Sequence, residues 1–194
     1  HFVPPDTGGY TSQARVTYDI AAAKTLLAEA GYPDGEGFPG FELLYNTNES
    51  HRKIAEVIQQ MWQKNLNINV VLKNQEWKVY LDSTQQGDFQ VARAGWIGDY
   101  VDPNTFLDLW ITGGGNNRTR WSNSDYDNFI ATAAATSDAA VRFNAFQKAE
   151  TTLLDELPIM PIYLYVSLSL IQPGVRGWHP TLLDHHPYKY VYLE

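Results

Sequence analysis

The chain has 194 residues, 44% of them hydrophobic, and a net charge of −8 from 14 basic and 22 acidic side chains. That length suits one domain, or one and a fraction, with ample core, and the acidic balance gives no footprint for nucleic acid or an anionic membrane. The lack of cysteine excludes disulfides and thiolate metal sites, and no apolar run is long enough to span a bilayer.

The chain opens on His1-Phe-Val-Pro-Pro-Asp-Thr-Gly-Gly9, with neither an initiator Met nor a signal peptide. It reads as an internal linker, and the expectation is a piece of a longer protein. A first helix is predicted over about residues 19–30, capped by Asp19, with Ile20, Ala23, Leu26, Leu27 and Ala30 on one face. Gly31 and Pro33 stop it. Phe41-Glu-Leu-Leu-Tyr45 reads as a strand. The best-patterned helix follows, carrying Ile54, Val57, Ile58, Met61, Trp62 and Leu66 at helical spacing. Ile68-Asn-Val-Val-Leu72 is a second strand, residues 76–86 a helix, and Phe89-Gln-Val-Ala92 a third strand. Strands alternating with helices predict an α/β fold with a largely parallel sheet and flanking helices.

Beyond Asp102-Pro103 the pattern changes. A short helix is expected over residues 104–111, a flexible loop at Gly113-Gly-Gly-Asn-Asn-Arg118, and helices over about 124–135 and 138–157. The second of these carries Val141, Ala145, Ala149, Leu153 and Leu157 on one face. Ile159-Met-Pro-Ile-Tyr-Leu-Tyr-Val-Ser-Leu168 is rich in strand formers, its Pro161 marking an edge or a crossing. Gln172-Pro-Gly-Val-Arg-Gly-Trp-His-Pro180 breaks regular structure, and Tyr188-Lys-Tyr-Val-Tyr-Leu193 could pair as a strand with something absent from the chain.

The stretch Arg93-Ala-Gly-Trp-Ile-Gly-Asp-Tyr-Val-Asp-Pro103 is poor core material and good pocket material. Ligands collect at the carboxyl end of strands in an α/β sheet. Glycines admit a ligand backbone, Trp96 offers a flat apolar wall, and Arg93 and Asp99 supply opposite charges. A surface turn with a salt bridge is the competing interpretation. His51 and Trp77 also follow strands, so His51, Trp77, Arg93, Trp96 and Asp99 are expected on one rim.

Other candidates carry less. His185-His186 lacks a metal motif and reads as a solvated turn, as does His179. Gly113-Gly-Gly115 lacks the lysine and spacing of a phosphate loop. The pairs Asp99/Asp102 and Asp125/Asp127 resemble a glycosidase couple on paper, but proximity in sequence does not set the required separation. No metal site or cofactor is expected.

Tyr18-Asp-Ile-Ala-Ala-Ala-Lys-Thr-Leu-Leu-Ala-Glu-Ala-Gly-Tyr-Pro33, Asn74-Gln-Glu-Trp77, Arg93-Ala-Gly-Trp-Ile-Gly-Asp-Tyr100 and Pro158-Ile-Met-Pro-Ile-Tyr-Leu-Tyr165 together resemble the family-5 solute-binding proteins of ABC importers, in their oligopeptide branch. The resemblance runs over nearly the whole chain in order. It implies one lobe of a class II periplasmic-binding-protein fold. Residues 1–170 would be the ligand-binding C-terminal lobe, and residues 171–194 a tail returning to a missing N-terminal lobe of the same protein. Phe2-Val-Pro-Pro5 and Tyr163-Leu-Tyr165 would be hinge crossings. It further implies a periplasmic, non-enzymatic receptor that delivers oligopeptides to a membrane permease.

By the same resemblance Asp99 meets the peptide α-ammonium, and the backbone at Gly95 and Ile97 pairs with the peptide as an added strand. Trp96 and Trp77 line side-chain pockets, Arg93 and more weakly His51 face a ligand carboxylate, and Tyr165 joins the site. Ile97 stands where relatives can carry Cys, and Thr84-Gln-Gln86 where some carry basic residues, so ligand length is left open. The rival expectations are a same-fold receptor for an oligosaccharide or metal chelate, and a hydrolase built on the Asp99 and Arg93 rim.

Overall fold

The computed structural model describes residues 1–179, 181 and 183–194, which leaves Pro180 of the 172–180 break outside the described residues. The chain divides into two compact units, one made of residues 17–95 and the other of residues 1–16 with 96–194.

The unit of residues 17–95 is built on a parallel sheet. Helix α1 (Ile20–Glu29) starts where Asp19 accepts a hydrogen bond from the Ala22 N–H. Strand β1 (Phe41–Asn46), helix α2 (Glu49–Leu66), strand β2 (Val70–Gln75), helix α3 (Trp77–Gln86) and strand β3 (Val91–Ala92) follow in turn. The order is β2-β1-β3, and both neighbours run parallel to β1, with Asn46 opposite Gln75 and Leu44 opposite Ala92. Each crossover carries a helix, as parallel strands require. The core joins Leu27, Leu43, Tyr45, Ala55, Ile68 and Val70, with Ile58, Trp62 and Leu66 packed against it.

Three expectations shift here. The second strand lies at residues 70–75 rather than 68–72, and only Val91 and Ala92 of the third pair. Of the apolar face expected on α1, Leu27 is buried but Leu26 is 64% exposed. The face is narrower than the sequence period suggests.

The other unit is helical. It contains α4 (Asn104–Leu107) running into a 3-10 turn (Asp108–Trp110), α5 (Ser124–Ala134) and α6 (Ala139–Glu156). Its core unites Val3, Tyr10, Phe106, Leu107, Tyr126, Ile130, Phe146 and Leu153. The opening segment is therefore packed rather than a free linker. Buried Glu150 of α6 accepts from the N–H groups of Phe2 (2.7 Å) and Val3 (3.1 Å), and its other oxygen accepts from the Tyr10 hydroxyl (3.0 Å). Burial, then the charge of Glu150, raises the pKa of Tyr10 and keeps it the donor.

The glycine-rich loop at 113–118 has a fixed centre. Buried Asn117 donates through Nδ2 to the carbonyls of Trp110, Ile111 and Trp121. Residues 159–168 form no strand among the described residues, since strand-forming residues make a strand only where a neighbouring strand takes up their backbone groups. The closing segment also departs from expectation. Tyr188–Tyr190 is a 3-10 turn, and only β5 (Tyr192–Leu193) is a strand, pairing antiparallel with β4 (Val175–Arg176) within the chain itself. His186 is not a solvated turn residue either, since its ring stacks on Trp178 and contacts Asp184 at 2.7 Å.

Candidate functional site

The carboxyl ends of β1, β2 and β3 lie along one edge of the sheet, because all three strands are parallel. Asn48 caps α2 by accepting from the N–H groups of Ser50 and His51, which puts His51 in the first turn, just past the end of β1. There the His51 Nδ1 lies 2.9 Å from Oδ1 of buried Asn46. An amide oxygen only accepts, so Nδ1 carries the proton and Nε2 is left as the open position of the ring. Burial first, then the positive charge of Arg93, lowers the His51 pKa, against a smaller opposing effect of Asn46.

Arg93 continues β3, its N–H donating to the Leu44 carbonyl at 2.7 Å. Its own carbonyl accepts from the Tyr80 hydroxyl at 2.5 Å, and Tyr80 stacks on half-exposed Trp77 with centroids 5.6 Å apart. The structure thus brings His51, Arg93 and Trp77 to the rim of one unit, with exposed Gly95 two residues further on. Asn46 and Tyr80 complete it. Neither was singled out in the sequence, although Asn46 is the last residue of β1 and Tyr80 lies three residues after Trp77.

The remaining predicted residues belong to the other unit. Ile97 is 81% exposed, and Trp96 packs on that unit's core with its indole N–H buried and unpartnered among the described residues. Asp99 is exposed, and its backbone N–H donates to Oγ1 of buried Thr105 at 3.0 Å. The loop is tight at Gly98, where an added Cβ would stand 3.0 Å from both Phe106 and Thr105. Asp102 then anchors it through a bidentate pair with Arg142 at 2.7 and 2.8 Å. Burial works against the Asp102 charge, but Arg142 and the Asn104 N–H outweigh it and hold the carboxyl below its ordinary range.

A second acid stands near Asp99. Burial, then the charge of Asp99, raises the pKa of Asp108, whose carboxylate accepts from Asn104 Nδ2 at 3.2 Å. Tyr165 is exposed, with its ring edge-to-face on Tyr163. Chemically, the rim of residues 17–95 offers positive charge and ring surfaces, and the 96–108 loop offers negative charge on a braced backbone. Among the described residues no group of three or more His, Asp or Glu could hold a metal ion, and no helix is long and apolar enough to cross a membrane.

Residues 1–118 match the model of the bacterial extracellular solute-binding proteins, family 5, middle region. The chain belongs to that family. Two family-5 relatives show how the likeness runs. The periplasmic murein peptide-binding protein MppA of Escherichia coli is 41% identical over 184 residues, covering 92% of this chain and 34% of the relative. The periplasmic oligopeptide-binding protein OppA of Salmonella typhimurium is 42% identical over 156 residues, 80% of this chain and 28% of the relative. In structure, the chain superposes on the E. coli murein tripeptide binding protein MppA with a TM-score of 0.84 at 38% identity, over 98% of this chain and 38% of that one. The α/β fold with its parallel sheet is thus that of a periplasmic-binding-protein lobe. The chain spans about a third of the length of these relatives. It is a family-5 protein of the extracytoplasmic space, as the periplasmic relatives are.

Proposed function

We propose that this chain is the ligand-binding C-terminal part of an oligopeptide receptor, which delivers peptides in the periplasm to the permease of an ABC importer. Its partners are the peptide, the N-terminal lobe of the same protein and that permease. The observation that carries the reading is the 93–99 segment. It presents an exposed carboxylate, Asp99, on a backbone braced by Thr105, and exposed backbone at Gly95 and Ile97 beside it in sequence.

A short peptide is a zwitterion, and a receptor for many sequences holds what all peptides share, their backbone and termini. Asp99 meets the α-ammonium as a charge-assisted hydrogen bond. Gly95 and Ile97 pair with the extended peptide, and Trp77, Trp96 and Tyr165 line side-chain pockets, where water fills unused volume. Arg93 and His51 face the carboxylate end. The protein captures its ligand and does not cut it, in keeping with relatives named as peptide-binding proteins. An oligosaccharide receptor would have no ammonium for Asp99 to meet.

Calorimetry of the full-length receptor tests this with a tripeptide pool and the same pool N-acetylated. Acetylation should remove most of the affinity, and Asp99→Asn should weaken binding of the free pool by about 2–5 kcal/mol. Equal affinity for the two pools would rule out the Asp99 assignment.

A further inference from the structure

Where the Asp99 carboxylate stands is decided by the residue before it. The φ of Gly98 lies outside the left-handed region, so the constraint on this position is room rather than backbone conformation. A Cβ built there would stand 3.0 Å from the edge of the Phe106 ring and 3.0 Å from the Thr105 methyl. Neither neighbour is loose. Thr105 is buried, and its Oγ1 accepts from the Asp99 N–H at 3.0 Å, which fixes its rotamer. Phe106 lies in the core with Phe2 edge-to-face on its ring at 6.1 Å, and the Phe2 N–H is itself held by Glu150. Further along, a Cβ on Gly8 would meet the Val101 carbonyl at 3.0 Å, and Arg142 holds Asp102. The backbone around Asp99 is pinned on both sides while its side chain stays in solvent.

We propose that Thr105 and Phe106 are the positioning residues of the α-ammonium site, forming a seat that has room only for glycine at position 98 and so aims the Asp99 carboxylate. The inference rests on the peptide-receptor reading and adds to it the residues that set the geometry of the acid. Both act through Asp99 rather than on the peptide. A charge-assisted hydrogen bond weakens steeply as its length and angle leave the favoured range, and a binding group must be held to within about 0.5 Å. A methyl at position 98 forces a shift of a few tenths of an ångström. With the seat fixed, that shift falls on the segment and is magnified at the end of the Asp99 side chain. Removing the Thr105 acceptor has a similar result, because the Asp99 N–H must then find another partner.

The test is calorimetry of the full-length receptor with a mixed tripeptide pool and the same pool N-acetylated, the weaker binder being measured by displacement. Gly98→Ala and Thr105→Val, which keeps the shape of Thr105 but not its acceptor, should each weaken the free pool by about tenfold or more, the size of one charge-assisted hydrogen bond. Neither should change affinity for the acetylated pool, so the ratio between the pools shrinks. Thr105→Ser keeps the hydroxyl and sheds the methyl. It should stay within about threefold of the parent and should restore most of the affinity lost in Gly98→Ala. With Asp99→Asn already in place, Thr105→Val should cost nothing further. A merely structural role would lower the melting temperature and leave the ratio between the pools intact. An unchanged ratio in Thr105→Val, or a Gly98→Ala loss that Thr105→Ser does not relieve, would overturn the proposal and leave the receptor standing. If the parent binds both pools alike, the Asp99 assignment falls and the seat with it.

Discussion

Residues 1–16 and 157–172 belong to the same unit, and both are rich in proline and aromatic residues, yet they are held in opposite ways. In the first, Val3, Thr7, Tyr10 and Ser12 are buried, and Glu150 takes up two backbone N–H groups and a hydroxyl. In the second no strand forms, and Val166, Leu168 and Leu170 stand almost wholly in solvent. Apolar content does not separate them. What does is a neighbour able to satisfy the backbone, because buried N–H groups must find acceptors and the Glu150 side chain of α6 reaches out to supply one to the first segment.

The contrast can be broken most forcefully at Glu150. Glu150→Ala strands two buried donors and one part-buried donor, and at about 1–3 kcal/mol for each the loss should be roughly 3–9 kcal/mol in denaturant unfolding. Glu150→Gln keeps an acceptor for Phe2 and Val3 and should lose far less. If the alanine variant lost under 1 kcal/mol, the opening segment would not depend on its clasp.

A middle effect is expected at Arg142, whose guanidinium braces the 96–108 loop through Asp102. Arg142→Met should cost about 1.5–3 kcal/mol, the usual range for a hydrogen bond to a charged group. Its pH dependence follows from the depressed pKa of Asp102. The contribution is present above the unfolded carboxylate pKa and is lost as pH falls through the lower folded value. The gap between the parent and Arg142→Met should therefore narrow in acid, and a gap that stays constant down to acid unfolding would contradict the pairing.

The smallest effect belongs to the second segment. Leu168→Ser, at a position 93% exposed, should change the stability of this chain by less than about 0.5 kcal/mol. A loss of 2 kcal/mol in the same melts would mean that the segment is buried in solution and the comparison false.

How much of this could be read from the sequence follows the same division. The parallel sheet was legible because β1, β2 and the helices between them keep their periods, and His51, Trp77 and Arg93 could be placed at strand ends. Asn46 was hidden, since an amide at the end of a strand shows its value only when the next helix turns His51 back upon it. Glu150 was hidden for a different reason. A glutamate among Gln147, Lys148 and Thr151 of α6 reads as solvated surface, and only residues some 148 positions away reveal what it holds. The strand expected at 159–168 failed because strand-forming residues state a preference, whereas a strand is a partnership.

The clasp at Glu150 also sets an order in time. As the chain emerges amino end first, residues 17–95 can close on themselves while Glu150 is still unmade, because every strand of their sheet lies within that stretch. Residues 1–16 must wait for about 55 further residues, which at 5–20 residues per second is roughly 3–11 s of synthesis. Through that interval residues 1–16 are the part without a place to go. Val3 and Tyr10 are then open to proteases and to chaperones that bind extended apolar chain, until α6 arrives to gather them in.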